Sequence, residues 1–189
     1  MLRKDIVLED GTILRFEPLN GKEDACEFRS FINTLVQENL YLLIERPVTL
    51  KEEKQWLQNQ LQAQRKGEQI FLKALVDGKL IGNGFARPGV GRNQGNVNLG
   101  ISLAKQWRGK GIGRLFLEEL ILSSERKWHP KNIYLHVVTA NKKAQRLYES
   151  LGFRIIARLP EWFEYEKKYL DEYILLLDKK CFSIRRKTP

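Results

Sequence analysis

Apolar and polar positions follow two periods along the chain, and each period predicts one kind of element. Alternation on either side of Asp10-Gly11 predicts a β-hairpin over 6–16, and 69–88 predicts a second hairpin that turns at Asp77-Gly78. Apolar residues at helical spacing predict four helices, at about 22–37, 50–65, 111–127 and 141–151. Four further strands are expected, at about 96–104, 132–140, 153–159 and 169–178.

The order of these elements, ββ-αα-ββ-β-α-β-α-ββ, predicts one α/β domain in which helices cover a sheet. The second helix has a clear beginning, because Thr49 is a suitable N-cap and Glu52 completes a capping box. We assign this single domain to residues 1–178, and we expect the polar, basic tail at 179–189 to be frayed.

Composition excludes several classes of protein. The chain has 189 residues, enough for one packed domain, and no apolar stretch reaches the roughly 18–20 residues that cross a bilayer. No hydrophobic leader is visible, so we expect a cytoplasmic protein without a membrane partner. Two cysteines and two histidines predict neither a disulfide framework nor a metal site. We expect Cys26 in the core, and His136 as a strand residue with a satisfied side chain rather than a catalytic one.

The positive charge of the chain is concentrated in two segments, the tail at 179–189, with five basic residues and no acidic one, and residues 105–146. Lys and Arg number 33 against 23 Asp and Glu, and this formal net charge of +10 favours a polyanionic partner. Residues 105–146 alone hold ten basic and three acidic residues. The charge is therefore not spread over the chain, as a general affinity for nucleic acid would require.

Residues 105–146 contain a glycine-rich turn between a predicted strand and a predicted helix, which we call the glycine loop (residues 105–114). Its glycines let backbone N–H groups approach a ligand closely, and the helix start adds unpaired donors and a positive dipole end. The loop matches neither the Walker A nor the dinucleotide-binding pattern. Alone it indicates either a phosphate site or an ordinary helix start with solvated charges. The residues concerned are Arg108, Gly109, Lys110, Gly111, Ile112, Gly113 and Arg114.

The glycine loop and a later segment together resemble a known family. The loop fits R-x-x-G-x-G, and an N-x-x-A-x-x-L-Y-x-x-x-G-F pattern follows at Asn141, Ala144, Leu147, Tyr148, Gly152 and Phe153. Both patterns resemble those of the GNAT acetyltransferase superfamily, over residues 69–178. The stretch 32–57 also resembles the front of prokaryotic members described as protein or amine acetyltransferases. The resemblance implies a mixed, mostly antiparallel central sheet flanked by helices.

The resemblance also implies a site for acetyl-CoA. The glycine loop would bind the pyrophosphate, and Asn141 and Ala144 would belong to the same site. The strand edge would bind the pantetheine amides and offer an N–H to the thioester carbonyl, at Ile101, Ser102 and Leu103. Tyr148 would protonate the departing thiolate, because a phenol with a pKa of about 10 keeps its proton at neutral pH.

The base that deprotonates the amine stays open in the sequence. Many relatives carry a glutamate where this chain has Asn98, which cannot accept a proton but can orient a water. None of the acidic alternatives is favoured over the others: Glu45, Glu68, Glu164 and Asp171.

The implied reaction is direct acetyl transfer to an amine-bearing acceptor, which would be a protein lysine, a protein N-terminus or a small amine. The acceptor would approach from the two N-terminal helices and a turn at 159–168, where Trp162 and Phe163 either pack or line its pocket. Two other functions remain open: a non-catalytic acyl-CoA sensor, which Asn98 would allow, and a basic nucleic-acid-binding module. The latter leaves both motifs unexplained. A homodimer is kept open as the assembly.

Overall fold

A computed structural model describes residues 5–182 of the chain. It contains eight strands and four helices in the predicted order. The strands are β1 (Ile6–Val7), β2 (Ile13–Pro18), β3 (Ile70–Val76), β4 (Lys79–Pro88), β5 (Asn96–Leu103), β6 (Asn132–Val138), β7 (Phe153–Tyr165) and β8 (Lys168–Leu177). The helices are α1 (Ala25–Gln37), α2 (Leu50–Arg65), α3 (Ile112–Trp128) and α4 (Lys142–Leu151).

The strands form one sheet in the order β1-β2-β3-β4-β5-β6-β8-β7. Neighbouring strands are antiparallel except β5 and β6, which are parallel and are connected through α3. The expected mixed, mostly antiparallel sheet is therefore confirmed. The parallel pair lies in the middle of the sheet and separates two antiparallel halves.

Helices cover both faces of the sheet, and each face has its own apolar cluster. On one face α3 and α4 pack against the strands; Phe116 is fully buried there and stacks on Phe16 at a centroid distance of 4.6 Å. On the other face α1 and α2 enclose a second cluster around Phe28 and Phe71. Burying a side chain of this size contributes roughly 1.5–3 kcal/mol. These two clusters hold the helices to the sheet.

The beginning of α2 is confirmed at the predicted residue. The Thr49 hydroxyl accepts from the N–H of Glu52, and the Glu52 carboxylate accepts from the N–H of Thr49 at 2.7 Å. Arg46 adds an ion pair to Glu52 at 2.6 Å. Because every partner lies within a few residues, this boundary can be read from local sequence.

The last hairpin is longer than the sequence indicates. The turn expected at 159–168 is wrong, since β7 continues to Tyr165 and the chain turns only at Glu166 and Lys167. The register shifts between Leu159 and Phe163, so an irregularity absorbs Pro160 and the strand then resumes. Among the strands of residues 5–182, β7 pairs with β8 alone, and an edge strand tolerates a proline that cannot donate a hydrogen bond.

Two smaller expectations are also wrong. Cys26 is exposed, because α1 begins at Ala25 and Cys26 lies in its first turn, off the buried stripe of Phe28, Phe31 and Leu35. The chain does not fray at 179: residues 179–182 are helical, and Phe182 is buried in the cluster beneath α3 and α4. The rest of the predicted tail lies outside the described residues.

No helix within residues 5–182 is both long enough and apolar enough to cross a membrane.

Candidate active site

The central feature of the candidate site is an opening in the sheet between β5 and β6. These strands pair only where Asn96–Asn98 meets Asn132–Tyr134. β5 continues to Leu103 and β6 to Val138, but the described residues show no pairing between those two stretches. The backbone groups of β5 that face this opening therefore lack a strand partner. Since the strands are parallel, the helices that follow them both begin at this end of the sheet.

The glycine loop crosses this end of the sheet and presents backbone donors. Gly109 and Gly111 both have φ of +77°, in the region that favours glycine, and a side chain at either would meet open space. Gly111 caps α3 without a side-chain hydrogen bond. The N–H groups from Gly109 to Gly113 donate to no acceptor among residues 5–182. They form a cluster of free donors at the positive end of a helix, suited to a phosphate group.

Gly113 serves a different purpose in the same loop. A Cβ atom there would lie 3.1 Å from Leu147 Cδ2 on α4, 3.5 Å from Leu103 Cδ1 and 3.7 Å from Ile101 Cδ1. Glycine thus lets α3, α4 and the end of β5 pack closely together. This packing brings the two motifs of the sequence to one place.

The three basic residues of the loop differ in what they contact. Arg114 pairs with Glu118 at 3.1 Å and donates to the Ser150 carbonyl on α4. Arg108 pairs with Glu38 at 2.6 Å. Lys110 is exposed, with its ammonium 4.8 Å from the centre of the Trp107 ring. Of the three, Lys110 therefore leaves its charge most available to a bound anion.

Tyr148 lies on α4, whose first turn is capped by the Asn141 side chain accepting from the N–H of Ala144 at 3.2 Å. The Tyr148 ring packs edge-on against Phe153, at a centroid distance of 6.1 Å. Burial raises the pKa of Tyr148 to about 12. Its hydroxyl therefore keeps its proton across the neutral range, as a general acid requires.

His136 forms a pair with Glu172 that the sequence did not reveal. Its Nδ1 lies 3.0 Å from Glu172 Oε2, on the neighbouring strand β8. The His136 side chain is thus satisfied, as expected, and its partner is a largely buried carboxylate. When Nδ1 carries the ring proton, it donates to this carboxylate, which fixes the ring orientation and directs Nε2 away from Glu172. The alternation of the polar residues Tyr134 and His136 along β6 is the sequence feature that could have indicated a polar site on this face of the strand.

Asn98 and His136 lie on the same face of the sheet. Side chains alternate along a strand, and the buried residues Ile133, Leu135 and Val137 point toward α3 and α4. His136 therefore points to the opposite face, as does Asn98 between buried Val97 and Leu99. On that face α1 and α2 cover mainly β2–β4, and the β6 side remains accessible.

The hairpin tip (residues 159–170) touches the segment between α1 and α2 (residues 38–49, the α1–α2 segment). The Tyr41 ring lies 4.9 Å from that of Tyr165 and 6.4 Å from that of Phe163. The Tyr165 hydroxyl donates to the Asn39 carbonyl at 2.7 Å. Phe163 thus packs, whereas Trp162 is 64% exposed. The hairpin tip and the α1–α2 segment together form a surface beside the accessible face of the sheet, which we call the wall.

The acidic alternatives are less well placed to act as a base. Glu45, Glu68 and Glu164 are exposed. Asp171 accepts from the N–H of Glu161, and this bond and the Arg158 guanidinium hold its pKa below the usual range. Within residues 5–182, no group of three or more His, Cys, Asp or Glu side chains could hold a metal ion.

Comparison with known proteins matches the chain to one family. The profile of the acetyltransferase (GNAT) family matches residues 35–153. An N-alpha-acetyltransferase 60 from Xenopus tropicalis is 34% identical over 103 residues, which are 53% of this chain and 41% of that protein. The chain thus matches less than half the length of this relative.

Two solved structures share the fold. A ribosomal-protein-alanine N-acetyltransferase from Brucella melitensis is 25% identical with a TM-score of 0.73, over 86% of this chain and 98% of that one. A Salmonella typhimurium protein whose structure contains acetyl-CoA is 20% identical with a TM-score of 0.73, over 87% and 92% of the two chains.

Proposed function

The chain belongs to the acetyltransferase (GNAT) family, and on that premise we propose that it transfers the acetyl group of acetyl-CoA to the α-amine of a protein N-terminus. The observation that carries the proposal is the opening between β5 and β6, bordered by the free N–H groups of Gly109–Gly113. An open strand edge beside a cluster of donors fits a molecule that joins an amide chain to a pyrophosphate.

Different residues around the opening bind different parts of the cosubstrate. Backbone N–H groups of the glycine loop, with Gly109, Gly111 and Ile112 at its centre, bind the pyrophosphate, and Lys110 adds charge. The edge of β5 at Ile101, Ser102 and Leu103 binds the pantetheine amides. Asn141 and Ala144 begin the helix that carries Tyr148 to the same place. Gly113 allows the close packing that brings these parts together.

His136 acts as the base for the amine, and Tyr148 acts as the acid for the thiolate. An alkylamine is charged at neutral pH, and His136 accepts the proton that it must lose. The amine nitrogen then forms a bond to the acetyl carbon while the bond from that carbon to sulfur breaks. Tyr148 donates its proton to the departing sulfur, and the second proton that the nitrogen loses on becoming an amide returns to the Tyr148 phenolate through water. Glu172 orients His136, and Asn98, on the same face, orients a water between the amine and the base.

Two features favour a protein N-terminus as the acceptor. The relatives include proteins named N-alpha-acetyltransferase and ribosomal-protein-alanine N-acetyltransferase. The wall formed by the hairpin tip and the α1–α2 segment is exposed and partly apolar, with Leu43 92% exposed and Trp162 64% exposed. A polypeptide can lie along such a wall, while a small polyamine would leave it unused.

The acceptor can be identified with a panel of amines and acetyl-CoA, with products located by mass spectrometry. We expect acetylation at the N-terminus of unblocked peptides and none on the same peptides with a blocked N-terminus and an internal lysine. Acetylation of lysine or spermidine alone would reject the acceptor. Calorimetric binding of acetyl-CoA without turnover on any amine would indicate a sensor, and absence of binding would reject the proposal.

The base is tested with His136→Gln and Glu172→Gln. We expect the first to lower kcat by about 100-fold near neutral pH with little change in acetyl-CoA affinity, the range that general-base catalysis provides. The second removes only the orienting charge and should lower kcat by a smaller factor. Unchanged kcat in His136→Gln would remove His136 from the mechanism.

A further inference from the structure

Arg108 is fixed at two points inside the protein. Its Nε donates to the Leu103 carbonyl at the end of β5, at 2.8 Å. Its Nη1 lies 2.6 Å from Glu38 Oε2, in an ion pair whose side chains are 34% and 16% exposed. The guanidinium therefore joins the end of β5 to the end of α1. Lys110, two residues later, remains exposed.

The remaining polar atoms of this pair are enclosed. Arg108 Nη2 and Glu38 Oε1 are shielded from solvent and have no hydrogen-bond partner among residues 5–182. A donor meant for an incoming phosphate should face the place where the phosphate arrives. Enclosed polar atoms without partners lower stability, so the pair is not explained by folding energy alone.

Glu38 lies where the α1–α2 segment begins. It caps α1, and the next residue, Asn39, has φ of +50°. Asn39 contacts the hairpin tip through both its backbone and its side chain. Its carbonyl accepts from the Tyr165 hydroxyl, and its side-chain amide donates to Glu166. A continuous series of contacts thus runs from the glycine loop through Arg108, Glu38 and Asn39 to the hairpin tip.

We propose that Arg108 is a positioning residue for the acceptor rather than a phosphate ligand: its pair with Glu38 holds the α1–α2 segment against the glycine loop. This inference rests on the proposed function. Removing either charge leaves the other partly enclosed without its counterion, and the segment relieves this by moving toward water. The backbone N–H groups of the glycine loop are untouched by this movement, so acetyl-CoA affinity is retained.

Steady-state kinetics and calorimetry separate the two roles. In Arg108→Met and Glu38→Gln we expect the KM of an acceptor peptide to rise about tenfold while the Kd of acetyl-CoA changes less than about twofold. Lys110→Met should show the opposite pattern. Arg15→Met, which removes an exposed ion pair to Asp5 on the first hairpin, is the matched control and should change neither value.

A second measurement needs no acceptor. The N–H of Asn39 donates to the Val36 carbonyl, and that of Leu42 to the Leu40 carbonyl. Amide hydrogen exchange should become about tenfold faster there in Arg108→Met and Glu38→Gln, with β3 unchanged as the check on folding. The exchanged pair Glu38→Arg/Arg108→Glu should restore part of this protection.

Either of two results would overturn the proposal: unchanged exchange at Asn39 and Leu42 in both single variants, or a loss of acetyl-CoA affinity in Arg108→Met equal to that in Lys110→Met. If the wild-type protein acetylates no peptide, the proposed acceptor is wrong. The exchange experiment would still decide whether Arg108 holds the α1–α2 segment.

Discussion

At the scale of single residues, Tyr148 joins two properties: it is part of a sequence motif, and its environment raises its pKa to about 12. Tyr148→Phe removes the proton and keeps the ring against Phe153. We expect kcat to fall by about 100-fold with little change in the Kd of acetyl-CoA, as for loss of a general acid. Stopped-flow turnover and calorimetry measure the two quantities, and a wild-type kcat would show that the phenol only packs.

The same pKa predicts how stability varies with pH. The folded-state pKa is above the ordinary value of 10, so the buried neutral phenol stabilises the fold below pH 10, and this contribution is lost as pH rises toward 12. The loss is about 2–3 kcal/mol. In urea titrations, wild type should lose that much more stability than Tyr148→Phe between these pH values. The exposed Tyr169→Phe should behave as wild type.

Gly111 is the residue whose substitution tests the donor cluster most directly. Glutamate there would strain a backbone with φ of +77° and place a carboxylate over the free N–H groups. We expect Gly111→Glu to abolish acetyl-CoA binding in calorimetry. Gly78→Glu is the matched control, since Gly78 has φ of +75° and open space at a different turn. Binding in Gly111→Glu equal to that of the control would exclude the loop as the phosphate site.

At the scale of elements, α2 was predictable to the residue because its capping box is local. Thr49→Ala should lower the free energy of unfolding by about 1 kcal/mol, measured in urea. Arg46 and the Thr49 N–H hold the pKa of Glu52 at about 2. The contribution of this carboxylate to folding stability is therefore present above its ordinary pKa of 4.5 and is lost as the pH falls from there toward 2. Thr34→Ala, in the exposed interior of α1, should cost much less; equal losses would mean that the cap is not the cause.

The last hairpin shows where local sequence fails. Pro160 and the residues around it indicate a turn, but β7 absorbs the proline at an edge and resumes because Phe163 and Tyr165 find Tyr41, more than a hundred residues earlier. His136 and Glu172 are a similar case, since their strands are neighbours only through the sheet order. Motifs located the glycine loop and Tyr148, whereas partners brought together by topology could not be predicted.

At the scale of the whole molecule, the net charge of +10 would attract a cosubstrate rich in phosphate. Salt screens such attraction, with a Debye length near 10 Å at 0.1 M. We expect the KM of acetyl-CoA to rise about threefold or more between about 0.05 and 0.5 M NaCl. Acetyl-pantetheine, which lacks the nucleotide phosphates, is the control and should show no such rise. An equal response of both thioesters would mean that the charge does not serve binding.

The short parallel joint of three residue pairs between β5 and β6 would make the stability of the fold depend on acetyl-CoA, if the cosubstrate binds in the proposed opening. In the proposed complex, the amide arm of the cosubstrate would lie in the opening beyond this joint and pair with the edge of β5. Mass action then adds about 2.7 kcal/mol to the free energy of unfolding when acetyl-CoA stands at 100 times its Kd. Cellular acetyl-CoA would thus set how much of this protein survives, as well as how fast it works.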